Sequence, residues 1–344
     1  MWYEIFVDNR IFPERVMRSF IRIALKKYLK KIQSLSESEI KQIQYNFQKT
    51  ANNSEITIHA NLANSQHYEL PTSFFEKILS SHMKYSGSEW KNFQSNLETS
   101  DSETLDLYSK RAEISNNHSI LELGSGWGSL CLYLAKKFPA SFITTVTNSN
   151  SQKKFIEAKA SSMNLNNLNV IKADISEFST NEKFDRIVSI EMFEHTRNTK
   201  LLLQNIEQWL EDDGKLFIQV FSHQKYPQFF DDFSNSWMSK NFFTGGMMPY
   251  KKFYGDIQKK LKIVQSWEIE GIYYQKTLDS WLNNLEINKR EISKQLSYEL
   301  KPQNSKILTN RFRMFLLICS ELFGFNSGKE WVVMNHLFEK EATQ

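Results

Sequence analysis

The chain has 344 residues, of which 40% are hydrophobic and 24% are charged, with a formal net charge of +4. This balance is typical of a globular protein and excludes an intrinsically disordered one. The small charge also disfavours nucleic acid as a partner. Two cysteines, Cys131 and Cys319, are too few for a disulfide framework or a metal set. We therefore expect no metal, and buried thiols in a reducing compartment.

The N-terminal part of the chain is rich in basic residues, which are Arg10, Arg15, Arg18, Arg22, Lys26, Lys27, Lys30 and Lys31. Their spacing favours the solvated face of an amphipathic helix over contact with a membrane or nucleic acid. The first residues, "MWYEIFVDNR", do not resemble a signal peptide. No apolar run reaches the ~18 residues of a membrane span. We expect a cytoplasmic protein without stable membrane insertion, and a homodimer stays open.

Residues 1 to about 115 are mostly helical in pattern, with a polar break around "QKTANNSEIT". From Ile120 onward, strand-length apolar runs alternate with helical patterns. The predicted strands are "SILELG", "SFITTVT", "NVIKAD", the start of "FDRIVSIEMFEH", "KLFIQVFS", "WEIEGIYY" and "WVVMNHLFEK". The predicted helices between them are "SLCLYLAKKF", "SQKKFIEAKASSMN" and "KLLLQNIEQWLED". This alternation predicts an α/β protein with a mostly parallel sheet and helices on both faces.

Two stretches after the later strands interrupt the alternation, at about residues 223–262 and 275–328. In an open parallel sheet, ligands bind at the carboxyl ends of the strands. Helical insertions there, together with the N-terminal helices, are well placed to cover a ligand. We therefore predict a helical arm and cover over residues 1–115 and one catalytic domain over 116–344.

The segment "LELGSGWG" follows the first predicted strand and opens a helix. Gly124 and Gly126 allow a tight turn and a close backbone approach to a ligand. A dinucleotide site would show G-x-G-x-x-G and an acidic residue ~20 positions later. Here the spacing is G-x-G-x-G and the second strand ends in "VTNSNSQ", so dinucleotide binding is disfavoured. A purely structural turn remains an alternative on this motif alone.

With Glu122 before the first glycine, the motif resembles motif I of the class I S-adenosylmethionine-dependent methyltransferases. The finer resemblance is to the branch of the cyclopropane fatty acid synthases and the plant coclaurine N-methyltransferases. It extends from about residue 66 over "HYELPTSFF", "MKYS", "LELGSGWGSL", "NSNSQ", "ADIS", "IEMFEH", "WMSKNFFTGG" and "ELFGFNSGKEW". "IEMFEH" and the last two segments are more similar to the N-methyltransferases.

The resemblance implies S-adenosyl-L-methionine as cofactor and a small amine, cyclic and aromatic-bearing, as substrate. It implies that Tyr85 and Ser86 touch the methionine part, that Gln152 and Asn148 face the ribose, and that Asp174 and Ile175 frame the adenine. The residues assigned to the cofactor are Tyr85, Ser86, Glu122, Gly124, Ser125, Gly126, Asn148, Gln152, Asp174, Ile175 and Ile190. Those assigned to the substrate are Tyr274, Phe242 and His223.

"IEMFEH" follows the fourth strand, at the edge where a transferred methyl group would lie. If the chain turns helical there, Glu191, Glu194 and His195 share one helix face. A carboxylate can hold a cationic amine, and an imidazole can take its proton at physiological pH. In the coclaurine N-methyltransferases the matching residues have these roles, so the resemblance implies all three as catalytic. A merely structural acid pair at a helix start is the alternative.

Two other functions stay open. Cyclopropane synthases act on an alkene with a bound bicarbonate, and their motif has Gly at the position of Glu191 and Cys at that of Gly87. Tyr274 does match their bicarbonate-contacting tyrosine, and Glu194 is shared. The balance favours methyl transfer to nitrogen, with transfer to unsaturated phospholipid chains as the alternative. A binding protein without activity is the third interpretation.

Overall fold

The computed structural model describes residues 4–58, 70–230, 237–257, 260–299 and 302–341. The start of the segment "HYELPTSFF" lies outside these ranges. Among the described residues, no helix is both long and apolar enough to cross a membrane.

The strands of the described ranges follow the predicted order closely. They are β1 Ser119–Leu123, β2 Phe142–Thr147, β3 Leu168–Lys172, β4 Phe184–Ile190, β5 Leu210–His223, β6 Gln228–Phe229, β7 Met247–Met248, β8 Leu261–Glu270 and β9 Trp331–Lys340. The α-helices are α1 Glu4–Asp8, α2 Glu14–Gln33, α3 Glu37–Asn52, α4 Thr72–Ile78, α5 Leu97–Arg111, α6 Ser129–Lys137, α7 Asn150–Ser162, α8 Thr199–Trp209, α9 Trp237–Asn241, α10 Phe253–Asp256, α11 Gly271–Ile287, α12 Lys289–Glu299 and α13 Pro302–Gly324.

The main sheet has the strand order β3-β2-β1-β4-β5-β9-β8 within the described ranges. Strands β1 to β5 run parallel, and β9 is antiparallel to both of its neighbours. Leu121 packs into the buried cluster on one face of the sheet, and its neighbour Ile120 packs into the cluster on the other. Both faces are therefore covered, and the predicted class I methyltransferase arrangement of sheet and helices is confirmed.

Three predicted boundaries were wrong. "WEIEGIYY" is a strand only to Glu270, because Gly271 starts α11 at a close crossing of backbones. A Cβ at Gly271 would lie 2.2 Å from the carbonyl oxygen of Trp331. The helix "KLLLQNIEQWLED" stops at Trp209, and β5 already begins at Leu210. The polar break after the N-terminal helices starts later than predicted, since α3 runs to Asn52 behind a capping box at Ser36.

The cover over the sheet edge consists of material between β5 and β8 and of the helices α11 to α13 between β8 and β9. The N-terminal arm packs on it through partly buried ion pairs, in which Arg18 of α2 contacts Glu321 of α13 at 2.9 Å and Asp279 of α11 at 2.8 Å. The division at residue 115 into two parts stays a prediction. Both cysteines are free thiols, and Cys319 is only half-buried, contrary to the prediction.

Candidate active site

A cavity opens at the carboxyl ends of β1, β2 and β4, where an open parallel sheet places its ligand. It encloses about 1260 Å³ of empty space, its open mouth included. The structure brings all of the predicted cofactor residues to its wall, which are Tyr85, Ser86, Glu122, Gly124, Ser125, Gly126, Asn148, Gln152, Asp174, Ile175 and Ile190. Their contact with a cofactor stays a prediction. Glu191 and His195 lie on the same wall.

The glycine turn after β1 has left-handed backbone angles that favour glycine, with φ of +88° at Gly124 and +51° at Gly126. A Cβ at Gly124 would press on Met192, at 2.8 Å from its Cγ. A Cβ at Gly126 would meet nothing within 4 Å among the described residues. The backbone at Gly126 therefore borders open space that a ligand can enter.

The carboxylate of Glu122 is buried at the end of β1 and accepts a hydrogen bond of 2.5 Å from the Thr145 hydroxyl. The same hydroxyl lies 2.7 Å from Oγ of Ser125. Burial raises the pKa of Glu122 to about 7, against the opposing effect of the Thr145 hydrogen bond. Near neutral pH this group can accept from a ligand donor or donate to a ligand acceptor.

Three buried polar atoms on the cavity wall have no hydrogen-bond partner among the described residues. They are Nε2 of Gln152, Nε1 of Trp127 and Oγ of Ser129. Buried donors are normally satisfied, so these atoms indicate a polar ligand. Together with the open space at Gly126, they fit an adenosyl amino acid, which is rich in acceptors. The amide oxygen of Gln152 already accepts from Thr147 at 2.6 Å, which leaves its NH₂ group for the ligand.

Some predicted residues are held by the protein itself. Oδ1 of Asp174 accepts from the Ser176 N–H at 2.8 Å, which orients its carboxylate at the cavity. Phe242 is buried and stacks on Phe315 with ring centres 4.7 Å apart. Nδ1 of His223 accepts from the backbone N–H of Tyr226 at 2.9 Å. The described residues on the cavity wall do not include Tyr274, Phe242 or His223, so their role toward the substrate stays a prediction.

Glu191 does not share a helix face with the other two residues of its motif, contrary to the prediction. Its φ is +50°, and only residues Phe193–His195 form a short 3₁₀ turn. The reversed backbone at Glu191 lets its side chain leave the turn and enter the site. His195 reaches the same cavity wall, whereas Glu194, which the described wall does not include, accepts from the backbone of β5.

The Glu191 carboxylate accepts three hydrogen bonds. The donors are the Gly87 N–H at 3.0 Å, Nε2 of Gln219 at 2.9 Å and the Tyr274 hydroxyl at 2.6 Å. Burial raises the pKa of Glu191, and the Lys84 ammonium and these donors oppose that rise. Three donors and a nearby cation favour the ionised form. The hydrogen bonds fix the position of the Glu191 carboxylate at the cavity wall.

Glu194 is in a different environment. Its side chain is fully buried, and Oε1 accepts from the Phe221 N–H at 2.6 Å. Oε2 has no partner among the described residues. Burial and the charge of Glu191 raise the pKa of Glu194 well above its usual range. Glu194 therefore differs from Glu191, which has three donors and a cation nearby.

The His195 ring lies on the cavity wall and packs against Phe243, with ring centres 4.8 Å apart. Burial lowers the pKa of His195 to about 4. The imidazole is therefore uncharged at neutral pH, with a ring nitrogen able to accept a proton.

A continuous series of aromatic contacts joins His195 to Glu191. The ring centre of Phe243 also lies 5.8 Å from that of Phe221, which in turn lies 6.0 Å from that of Phe323. Phe323 stacks on Tyr274 with ring centres 4.4 Å apart. Tyr274 in turn donates to Glu191. The series packs behind the cavity and links the surroundings of the two residues, since of these six residues the described cavity wall includes Glu191 and His195.

Sequence reasoning did not identify Lys84, Gln219, Trp127 or Ser129 as site residues. Trp127 and Ser129 are part of "GSGWGSL", where the position in the glycine turn was an available signal. Gln219 interrupts the apolar strand "KLFIQVFS", and a polar residue inside a buried strand is informative. Among the described residues, no group of three or more His, Cys, Asp or Glu is placed to hold a metal ion.

Comparison with known proteins gives a consistent result. The family model for mycolic acid cyclopropane synthetase matches residues 54–329. An (S)-coclaurine N-methyltransferase from Thalictrum flavum subsp. glaucum is 33% identical over 96% of this chain and 92% of its own length. A cyclopropane-fatty-acyl-phospholipid synthase from Escherichia coli (strain K12) is 24% identical over 79% of this chain and 67% of its own length.

The solved structure of a coclaurine N-methyltransferase bound to N-methylheliamine and SAH superimposes with a TM-score of 0.93, at 30% identity over 98% of both chains. The cyclopropane synthase MmaA2 from Mycobacterium tuberculosis, at 20% identity over 83% of this chain and 100% of its own, shares the fold with a TM-score of 0.70. The sheet, the glycine turn and the cavity define an S-adenosylmethionine-dependent methyltransferase of class I. The chain belongs to the mycolic acid cyclopropane synthetase family.

Proposed function

We propose that the protein transfers a methyl group from S-adenosylmethionine to the nitrogen of a small, aromatic-bearing amine. The observation that carries the proposal is the Glu191 carboxylate, held at the cavity wall by Gly87, Gln219 and Tyr274. A carboxylate held in this way at a cavity wall can bind a cationic ligand. A protonated amine is such a ligand. The similarity to a coclaurine N-methyltransferase over nearly the whole chain supports the same conclusion.

The cofactor supplies an electrophilic methyl group when it is bound. Glu191 binds and orients the cationic amine, which places its nitrogen toward the methyl donor. The aromatic series from Tyr274 to Phe243 packs behind Glu191 and His195 and keeps their surroundings apolar. The catalytic effect of these residues is mainly one of positioning.

The amine has to lose a proton before its nitrogen can attack. His195 is the proposed acceptor, because its imidazole lies on the cavity wall and is uncharged. Glu194 has a separate, positioning role: it fixes the backbone at Phe221, whose ring belongs to the aromatic series.

Methylene transfer to an unsaturated phospholipid chain is the second candidate, favoured by the family model and the similarity to a cyclopropane-fatty-acyl-phospholipid synthase. An acyl chain would bring no cation to Glu191. The Tyr274 hydroxyl, which the resemblance assigned to bicarbonate, already donates to Glu191. The amine therefore accounts for more of the site.

A transfer assay with S-adenosylmethionine labelled in the methyl group separates the two candidates. We expect label in cyclic, aromatic-bearing amines and none in vesicles of unsaturated phospholipid, with or without added bicarbonate. Glu191→Gln keeps the shape of the side chain and removes its charge, so it should raise the KM for the amine. A cyclopropane product that increases with bicarbonate would contradict the proposal.

A further inference from the structure

Lys84 is a buried lysine that the proposed mechanism does not use. Its side chain is 1% exposed, and its ammonium donates to the Ser86 carbonyl at 3.0 Å, to the Ser86 hydroxyl at 3.0 Å and to the Gly87 carbonyl at 2.6 Å. A buried ammonium is costly unless every donor is satisfied. Three oxygens within two residues form a specific site for this cation.

The peptide unit between Ser86 and Gly87 joins Lys84 directly to Glu191. Its carbonyl accepts from the Lys84 ammonium, and its N–H donates to Oε1 of Glu191 at 3.0 Å. A cation on the carbonyl polarises the peptide unit and makes its N–H a stronger donor. The charge of Lys84 is thereby transmitted to the carboxylate through one peptide group.

Two other ionisable groups adjoin this arrangement. The Tyr108 hydroxyl donates to the Gly87 carbonyl at 3.2 Å, and Asp101 accepts from the Ser80 hydroxyl at 2.5 Å and also from Ser88. Burial lowers the pKa of Lys84 to about 8, while Asp101 and Glu191 oppose the decrease. The ammonium is therefore charged at neutral pH. Both carboxylates interact with the ammonium, Asp101 more strongly, but Glu191 is the one that Lys84 reaches through the Ser86–Gly87 peptide.

We propose that Lys84 is a positioning residue that keeps Glu191 ionised and directed at the amine through the Ser86–Gly87 peptide. The inference rests on the proposed function. The same short segment carries Tyr85 and Ser86 of the cofactor wall. Lys84 thus fixes the position of the amine-binding charge relative to the methyl donor.

The test compares Lys84→Met, which loses both charge and donor, with Lys84→Gln, which loses the charge and keeps a donor. Loss of a hydrogen bond to a charged group weakens binding by a factor of ~10 to 100. We expect the KM for the amine to rise by about this factor in Lys84→Met and by somewhat less in Lys84→Gln. In both variants the acidic limb of the pH profile of kcat/KM should move to higher pH, because Glu191 without the nearby cation stays protonated to a higher pH.

Calorimetry with S-adenosylhomocysteine measures cofactor affinity, which should change far less than the KM for the amine. If the affinities for the cofactor and for the amine fall equally, and the acidic limb of the kcat/KM profile does not shift, Lys84 only supports the local fold. That result would overturn the inference. The matched control is Lys340→Met. Lys340 is also largely buried and donates to a backbone carbonyl, that of Leu210 at 2.7 Å, but it lies far from the cavity. It should behave as the parent does.

The double variant with Glu191→Gln separates this inference from the proposed function. If Lys84 acts through Glu191, Lys84→Met should have little further effect once the charge of Glu191 is gone. If Glu191→Gln alone leaves the KM for the amine unchanged, the proposed function fails. If Glu191→Gln raises that KM and both Lys84 variants keep the parental KM and pH limb, only the role of Lys84 is refuted.

Discussion

The Tyr274 hydroxyl donates a hydrogen bond of 2.6 Å to Oε2 of Glu191, although the two residues are 83 positions apart. The Tyr274 ring also closes over Gly87, where a Cβ would lie 2.9 Å from the ring. The tyrosine, the glycine and the carboxylate therefore form one unit. Only a residue without a side chain at position 87 leaves room for the ring to reach Glu191.

Tyr274→Phe removes this hydroxyl and leaves the ring stacked on Phe323 at 4.4 Å. We expect a rise of ~10-fold or more in the KM for the amine, because a hydrogen bond to a charged group is lost. This KM is measured by steady-state kinetics with the amine that the transfer assay identifies. Tyr273→Phe, on the same helix, is the matched control and should be neutral. Parental KM in Tyr274→Phe would show that the hydroxyl does not support the charge.

His195→Ala should lower kcat at neutral pH by ~10²–10⁴, the usual effect of a positioned general base. High pH should restore part of the rate, because the amine then loses its proton in solution. Since burial lowers the pKa of His195 to about 4, the parent should show no inflection from this group above pH 5. The measurement is a pH–rate profile of both enzymes, with His118→Ala as control. A parental kcat in His195→Ala would make the imidazole a structural residue.

Gly126→Asn tests the cofactor site. Asparagine tolerates the left-handed backbone of this position better than most residues, and its side chain would enter the open space beside Gly126. Affinity for S-adenosylhomocysteine should fall by ~10-fold or more, the effect of overfilling a packed contact. Gly255→Ala, where a Cβ meets only an ordinary contact at 3.5 Å, is the control. Undiminished affinity in a folded Gly126→Asn would place the cofactor elsewhere.

His336 provides a test of stability against pH. It is 4% exposed, and burial lowers its pKa to about 4. The unfolded chain binds a proton below its ordinary pKa of ~6.5, so His336 contributes stability above that pH and loses it as the pH falls toward 4. Between pH 7.5 and 5 the loss is about 2 kcal/mol.

His336→Gln cannot take up this proton. Urea unfolding of the parent and the variant at both pH values should therefore show a smaller decrease for the variant, by about that amount. Equal decreases in the two proteins would mean that His336 is protonated in the folded state as readily as in the unfolded one.

Much of the sheet could be predicted because the relevant pattern is local. The last strand, Trp331–Lys340, has the predicted bounds, since its apolar run is bordered by turn-forming residues on one side. The glycine turn was recognisable for the same reason. Parallel strands bring their carboxyl ends to one edge of the sheet. The position of cavity residues at the ends of β1 and β2 could therefore be predicted from the strand order.

The hydrogen bonds around Glu191 could not be predicted from local patterns. The Gly87 N–H comes from 104 positions away and the Gln219 amide from 28. The left-handed backbone at Glu191 is also unexpected, because a residue with a long side chain rarely adopts it. Tertiary contacts fix that conformation and give Glu191 and Glu194 different surroundings. A helical period over "IEMFEH" places both on one face and leaves open whether they share one role.

The position of β9 in the sheet affects how the protein is made. It lies between β5 and β8, yet the helices α11 to α13 separate it from β8 in the chain. During translation, β8 therefore lacks its neighbour until those helices have been synthesised, and this long-range pairing is the slow part of folding. A chain released before Trp331 would keep two open strand edges, on β5 and β8, and open edges promote aggregation. Ribosomes that stall within the cover would thus yield insoluble fragments, even though the cofactor half of the sheet is already complete.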